Sequence, residues 1–153
     1  MIRAHLYSTI DILLAQASKA IVEIADQAII ERGVFNIVLT GGRSAEKLYR
    51  VLANEVGDFN HWSFWFSDER NLPLGNIERN SEMVSRTLFD RVKSDSCHPI
   101  LYHDNLKVAA QQYANNITEN IVSEFDLTLL SLGEDGHIAS LFPYRSNDNN
   151  RHV

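Results

Sequence analysis

The chain has 153 residues, of which 44% are hydrophobic and 22% charged, so it can form one domain with a sizeable core. Its formal net charge of -6 argues against broad nucleic-acid binding, although a few local cations can still bind an anionic small molecule. No apolar run approaches the roughly 20 residues that span a bilayer, the first residues lack a signal-peptide pattern, and the single cysteine excludes an internal disulfide framework. We therefore expect a cytoplasmic protein with no nucleic-acid or membrane partner.

The first half of the chain alternates strand patterns with helix patterns. Short apolar runs between turn residues are typical of buried strands, whereas apolar residues spaced three and four apart are typical of helices. These patterns predict a short strand over 2–7, a helix from about Ser8 to Arg32, a strand over 35–39, a helix over 44–56 and a strand over 62–66. Gly33 is a stop signal for the first helix.

The second half continues the alternation. It predicts helices that begin near Asn80 and Asn105, a short strand over 98–102, a strand over 127–132 and a helical start over 138–142. The run over 127–132 is almost continuously apolar, which is typical of a strand buried on both faces of a parallel sheet. Strands that alternate with helices predict an α/β fold with a mainly parallel sheet.

Polar or glycine-rich turns follow three of the predicted strands. They are 41–43, 68–70 and 135–137. Because the carboxyl ends of parallel strands lie at one edge of a sheet, these turns should converge, and open α/β sheets bind ligands at that edge. This convergence predicts a functional site.

The turn Thr40-Gly41-Gly42-Arg43-Ser44 lies between a strand and a helix. Glycines let backbone N–H groups approach an anion, and a helix N-terminus favours negative charge. The spacing matches neither a P-loop nor a dinucleotide fingerprint. Two interpretations stay open, a phosphate site or a plain strand-to-helix turn.

The triplet Asp68-Glu69-Arg70 places two acids beside a guanidinium. Arg70 can hold a phosphate or stabilise a developing oxyanion, but the triplet taken alone favours a solvated loop that contains a local ion pair. No histidine stands at a metal-ligand spacing near these acids, so we expect no metal site.

His137 follows a glycine turn at a predicted strand end, which suits a general base because imidazole titrates near neutral pH. Asp135 can orient its ring. A structural histidine is the alternative. A serine triad is disfavoured because no nucleophile elbow is present, and Cys97 is interpreted as a packing residue.

Three motifs carry a family resemblance. Residues 39–44 read LTGGRS, 66–73 read FSDERNLP with Asn80 following, and 132–143 read LGEDGHIASLFP. In this order they resemble the 6-phosphogluconolactonase family, within the glucosamine-6-phosphate isomerase/6-phosphogluconolactonase superfamily. The resemblance implies a three-layer α/β/α sandwich of the NagB/RpiA-like, Rossmann type.

The resemblance also implies hydrolysis of 6-phosphoglucono-δ-lactone to 6-phosphogluconate in the oxidative pentose phosphate pathway, without a metal or organic cofactor. His137 would activate the attacking water with Asp135 as its partner, and Arg70 would stabilise charge on the lactone oxygens. Substrate and phosphate binding would involve Gly41, Gly42, Arg43, Ser44, Asp68, Glu69, Asn80, Arg86 and Gly136.

The rival in the superfamily is the aminosugar-phosphate isomerase/deaminase, whose histidine motif continues into Phe-Asn-Glu-Pro. This chain has Ser140-Leu-Phe-Pro143 there, without an acid, which favours the lactonase. Two smaller departures from the family pattern are Ala45, where proline is usual, and Arg79, where serine is common; Arg79 can either crowd or help the site.

Family members are longer than this chain. We therefore expect residues 1–143 to form one α/β domain without its C-terminal elements, followed by a polar tail over 144–153. A catalytically inactive sugar-phosphate-binding or interaction module is the alternative function. The family implies a monomer, and self-association through the surface left by the missing part stays possible.

Overall fold

Three parallel strands form one sheet in the part of the chain that this computed structural model describes, residues 3–121 and 124–143. They are β1 (Phe35–Leu39), β2 (Trp62–Phe66) and β3 (Leu127–Thr128), in the spatial order β2-β1-β3. β1 pairs with β2 along its whole length, from Phe35 opposite Trp62 to Leu39 opposite Phe66. β1 is therefore the central strand, and its carboxyl end lies beside those of both neighbours.

The helices are α1 (Ile10–Arg32), α2 (Arg43–Leu52), α3 (Asn80–Val84) and α4 (Leu106–Asn120). A 3₁₀ turn (Phe59–His61) precedes β2, and a π-helical turn (Ser85–Phe89) extends α3. Asn105 caps α4 by accepting a bond from the Lys107 N–H, and Gly33 ends α1 with φ 78°. None of the helices within 3–121 and 124–143 has the length and apolar character that a bilayer crossing needs.

Helices cover both faces of the sheet. Ile37 of β1 belongs to the main core cluster, into which α1 and α2 also pack. The next residue, Val38, belongs to a second cluster with Trp65 of β2 and Tyr113 of α4. Because successive side chains of a strand point to opposite faces, α4 lies on the face opposite α1 and α2. The predicted three-layer α/β/α sandwich is confirmed.

Most predicted elements are confirmed with shifted ends. Thr9 rather than Ser8 caps α1, since its Oγ1 accepts a bond of 3.3 Å from the Ile12 N–H. α2 ends at Leu52 instead of continuing to residue 56. The predicted polar tail, 144–153, lies outside the described residues.

Four expectations were wrong. Residues 3–7 form no strand, residues 98–102 form none, and residues 138–142 form no helix. Among the described residues, Cys97 alone extends the sheet beyond β2, through a parallel bridge to Phe64. The fourth is the strand over 127–132, which pairs with β1 only over Leu127–Thr128, followed by one more bond from the Leu129 N–H to the Val38 carbonyl (2.9 Å). Beyond that point the chain leaves the ladder, and the predicted burial on both faces does not occur.

Two buried tyrosines fix the strand ends. The Tyr49 hydroxyl of α2 accepts a 2.9 Å bond from the Thr40 N–H and donates a 2.9 Å bond to the Thr40 carbonyl. The Tyr113 hydroxyl of α4 does the same for Phe66, at 2.8 and 3.0 Å. Burial raises the pKa of both phenols, that of Tyr113 to about 12, so both keep their protons. Each helix layer thus holds the last peptide group of one strand at the edge where the loops begin.

The substitution Tyr49→Phe should lower the free energy of unfolding by about 2 kcal/mol, because it leaves a buried N–H and a buried carbonyl of Thr40 without their partner. Urea denaturation measures this difference. The matched control is Tyr7→Phe, at an exposed tyrosine, which should change stability by less than about 0.5 kcal/mol. Equal stabilities for Tyr49→Phe and the wild type would contradict the assignment.

Candidate active site

The carboxyl ends of the three strands meet at a cleft of about 380 Å³. Three segments form it: residues 40–44 after β1 (the glycine loop), residues 67–73 after β2 (the acidic loop) and residues 133–143 after β3 (the histidine turn). Six residues predicted from the sequence line this cleft: Gly41, Gly42, Asp68, Arg70, Asn80 and His137. The predicted convergence of the three turns is confirmed.

A second cleft of about 480 Å³ adjoins the first and shares His137 with it. Arg43, Ser44 and Asp135 line this second cleft. The Arg43 guanidinium donates a 3.1 Å hydrogen bond to the Glu134 carboxylate, and both side chains are exposed. Exposed ion pairs of this kind are weak, so Arg43 can exchange Glu134 for an anionic ligand at little cost.

The glycine loop needs its glycines for two reasons. A Cβ at Gly41 would lie 2.2 Å from the Asn80 Oδ1, so only glycine lets the loop pass this side chain. Gly42 has φ 101° and precedes the first turn of α2, where no side chain caps the backbone N–H groups. Uncapped N–H groups at a helix start, facing a cleft, can bind an anion.

The acidic loop is held from within by Glu69. Its Oε1 accepts bonds from the N–H groups of Arg70 (2.8 Å) and Asn80 (2.6 Å), and its Oε2 accepts one from Ser81 (2.9 Å). Only 2% of the Glu69 side chain is exposed. Glu69 therefore does not reach the cleft, against the predicted substrate-binding role, and acts instead as a cap for the start of α3.

The histidine turn presents His137 with its ring held. The His137 Nδ1 lies 2.5 Å from the Asp135 Oδ1, and the ring lies 5.0 Å from the Phe142 ring between centroids. A Cβ at Gly133 would lie 2.2 Å from the imidazole, so the ring occupies the space that any other residue would need. Gly136 has φ 87° and makes the turn possible, but it lines neither cleft.

Asp68 joins the acidic loop to the histidine turn. Its Oδ2 accepts a 2.5 Å bond from the Ser140 hydroxyl, and its carbonyl accepts a 3.1 Å bond from the Asn80 side chain. The residue before Ser140, Ala139, has φ 49°, the left-handed region that alanine seldom adopts. This conformation reverses the chain and explains why residues 138–142 do not continue as a helix.

We expect the Asp135 carboxyl to titrate at lower pH in the wild type than in His137→Ala. The hydrogen bonds from the side chain and backbone of His137 lower the pKa of Asp135. This interaction stabilises the folded turn above the ordinary aspartate pKa and is lost as the pH falls through the lower, folded value. Carboxyl ¹³C NMR titration of both proteins measures the shift, and identical curves would contradict it.

Arg86 is a third predicted site residue, after Glu69 and Gly136, that lines neither cleft of the site. Its side chain is exposed, donates a long bond of 3.5 Å to the Ile77 carbonyl and lines a separate cleft with Arg50 and Arg91. Its place on the π-helical turn directs it away from the carboxyl edge. A substrate contact by Arg86 therefore has no support in the geometry.

Three polar residues of the cleft were not among the predicted site residues. Thr40 and Ser131 line the cleft, with their hydroxyls 3.4 Å apart, and the Ser131 hydroxyl donates a 3.1 Å bond to the Gly41 carbonyl. Ser140 also lines it. Ser131 could have been identified from the sequence, because it is one of two polar residues in the apolar run over 127–132. Within 3–121 and 124–143, no three His, Cys, Asp or Glu side chains come together as a metal site requires.

The chain is similar to proteins of one family throughout. The family model for glucosamine-6-phosphate isomerases/6-phosphogluconolactonase matches residues 8–153. A 6-phosphogluconolactonase from Streptomyces coelicolor is 35% identical over 147 residues, which is 84% of this chain and 56% of the relative. The chain thus spans little more than half the length of that relative.

Solved structures agree. The crystal structure of 6-phosphogluconolactonase from Thermotoga maritima superposes with a TM-score of 0.78 at 30% identity, covering 85% of this chain and 60% of that one. A 6-phosphogluconolactonase from Trypanosoma cruzi gives a TM-score of 0.77 at 26% identity, covering 90% and 61%. The chain belongs to the glucosamine-6-phosphate isomerase/6-phosphogluconolactonase family.

Proposed function

We propose that this chain hydrolyses 6-phosphoglucono-δ-lactone to 6-phosphogluconate, a step of the oxidative pentose phosphate pathway. The observation that carries the proposal is the pairing of His137 with Asp135 at a cleft that Arg70 and the glycine loop also line. Relatives that carry the name 6-phosphogluconolactonase support the same reaction. We further propose that the protein acts in the cytoplasm.

His137 acts as the general base in this proposal. A carboxylate only accepts hydrogen bonds, so the Asp135 Oδ1 selects the tautomer with the proton on Nδ1. The Nε2 lone pair then takes a proton from a water molecule as its oxygen forms a bond to the lactone carbonyl carbon. The same imidazole later returns the proton to the ring oxygen when the bond between that oxygen and the carbonyl carbon breaks.

Arg70 and the glycine loop supply the positive potential. Arg70 stabilises the negative charge that develops on the carbonyl oxygen in the tetrahedral intermediate. The phosphate binds at the uncapped start of α2, where backbone N–H groups of the glycine loop and Arg43 can donate hydrogen bonds. A phosphate anchored there holds the lactone ring against His137, which reduces the entropic cost of the reaction.

A second candidate function is an inactive interaction module. Leucines near the carboxyl end of β3 are exposed, Leu130 by 58%, Leu132 by 73% and Leu141 by 57%. β3 is an outer strand of the sheet that the described residues form, and exposed apolar side chains beside such a strand favour contact with another polypeptide. If this surface is the functional one, we expect the chain to self-associate. The proposed active site, in contrast, is formed by residues of a single chain.

The assay compares acid release from 6-phosphoglucono-δ-lactone with and without the protein, because the lactone also opens spontaneously. Hydrolysis above the background supports the lactonase. A rate equal to the background, together with self-association in sedimentation, would support the interaction module instead. Ammonia release from glucosamine 6-phosphate would identify a deaminase. We do not expect it, because the segment from His137 to Pro143 contains no glutamate, whereas the deaminase motif has one there.

A further inference from the structure

Arg79 is a buried arginine that directly precedes Asn80, one of the residues that line the cleft. Only 1% of the residue is exposed, and it lines neither cleft of the candidate site. Arginine is almost never this buried unless its charge is paired and its donors are satisfied. Its surroundings therefore indicate what the side chain does.

The Arg79 guanidinium bonds to three separate segments. Its Nη1 donates to the carbonyls of Leu72 (2.5 Å) and Arg70 (3.4 Å) in the acidic loop. Its Nη2 donates to the Ile100 carbonyl (2.6 Å), and its Nε donates to the Ser81 hydroxyl (3.2 Å) in α3. One planar group thus connects the acidic loop to α3 and to Ile100, in the segment before α4.

The same guanidinium balances a buried negative charge. Its Nη2 lies 3.4 Å from the Glu69 Oε2, and the exposed fractions of the two side chains are 0% and 2%. Glu69 in turn accepts the backbone N–H groups of Arg70 and Asn80. Arg70 is therefore held at its N–H by Glu69 and at its carbonyl by Arg79.

We propose that Arg79 is a positioning residue, whose guanidinium sets the backbone that presents Arg70 and Asn80 to the cleft. It does not touch the cleft, so it is not a catalytic residue. The expected effect on 6-phosphogluconate binding rests on the proposed lactonase function, whereas the expected effect on the backbone of the acidic loop does not. Arg79 stands where the resemblance described above leads us to expect serine.

The variant Arg79→Lys separates the two roles of the guanidinium. An ammonium retains the positive charge opposite Glu69 but cannot reproduce a planar fork that spans several carbonyls. We expect a folded protein in which the amide hydrogens of Arg70, Asn80 and Ser81 exchange about tenfold faster, while those of β1 are unchanged. Binding of 6-phosphogluconate should weaken by roughly tenfold.

Two further variants complete the test. Arg50→Lys, at an exposed arginine paired with Glu46, is the matched control and should change neither exchange nor binding. If Arg79→Lys does not fold, the double variant Glu69→Gln/Arg79→Gln removes both buried charges and leaves an amide oxygen at position 69 that can still accept the Arg70 N–H. Glu69→Gln alone is its reference, and the Arg70 amide should exchange faster in the double variant than in this reference.

Wild-type exchange at these amides in Arg79→Lys, or equal acceleration in β1, would overturn the positioning role. The first result would show that a positive charge at position 79, without the guanidinium fork, is enough to hold the acidic loop. The second would show a general loss of stability. A wild-type chain that neither binds 6-phosphogluconate nor hydrolyses the lactone would refute the proposed function. The exchange measurement would still decide the role of Arg79 in that case.

Discussion

His137→Ala should reduce the rate of lactone hydrolysis above background by about 10²- to 10⁴-fold, the range that a positioned general base contributes. The affinity for 6-phosphogluconate should change little, because the proposed phosphate site depends on the glycine loop. Stability should also be retained, since 36% of the His137 side chain is exposed. Initial rates and calorimetric titration measure the two effects separately.

The matched control is His61→Ala. His61 is exposed on the 3₁₀ turn before β2, at the amino end of that strand, and pairs with Asp58 at 2.8 Å. Removal of its side chain should leave the hydrolysis rate within about twofold of the wild-type rate, because substitutions at exposed positions usually have small effects. Wild-type activity in His137→Ala would refute the general-base assignment, and equal losses in both variants would point to unfolding.

Gly133→Ala should reduce hydrolysis by about 10²-fold without unfolding the protein, because a displacement of about 1 Å at a catalytic group can cost that much. The added Cβ would lie 2.2 Å from the His137 imidazole, so the ring must move from Asp135. The backbone bond from the Gly133 N–H to the His137 carbonyl, 2.8 Å, can remain. The expected change is therefore in ring position and not in the fold.

Gly57→Ala is the control for Gly133→Ala. A Cβ at Gly57 meets its nearest atom, in the Phe59 ring, at 3.5 Å, which is ordinary van der Waals contact. Activity and melting temperature should both stay close to the wild-type values. If Gly133→Ala keeps full activity, the ring position seen here is not the one required for catalysis.

The elements that the sequence predicted correctly depend on local patterns. The apolar run Phe35–Leu39 and the spaced apolar residues of α1 identify buried faces without reference to the rest of the chain. The run over 127–132 has the same apolar character, but how many of its residues pair depends on how the chain lies beside β1, which a local pattern does not contain. Leu130 and Leu132 are consequently exposed, although their neighbours predict burial.

The location of the site was predictable because polar or glycine-rich turns follow three of the predicted strands. Parallel pairing was enough to bring Gly41, Asp68 and His137 to one edge. The same reasoning could not distinguish a side chain that faces the cleft from one that faces inward. Glu69 and Arg70 are adjacent, yet Glu69 is buried beneath the loop, because the start of α3 requires an acceptor for its N–H groups.

We propose that three loops, distant in sequence, form one sugar-phosphate site at the carboxyl edge of the sheet. Titration of the ¹⁵N-labelled chain with 6-phosphogluconate, followed by NMR, tests it directly. We expect saturable shifts at the amides of Gly41 and Gly42, Arg70 and His137, with unchanged signals for α1. Shifts confined to one loop, or found only outside these three, would contradict it.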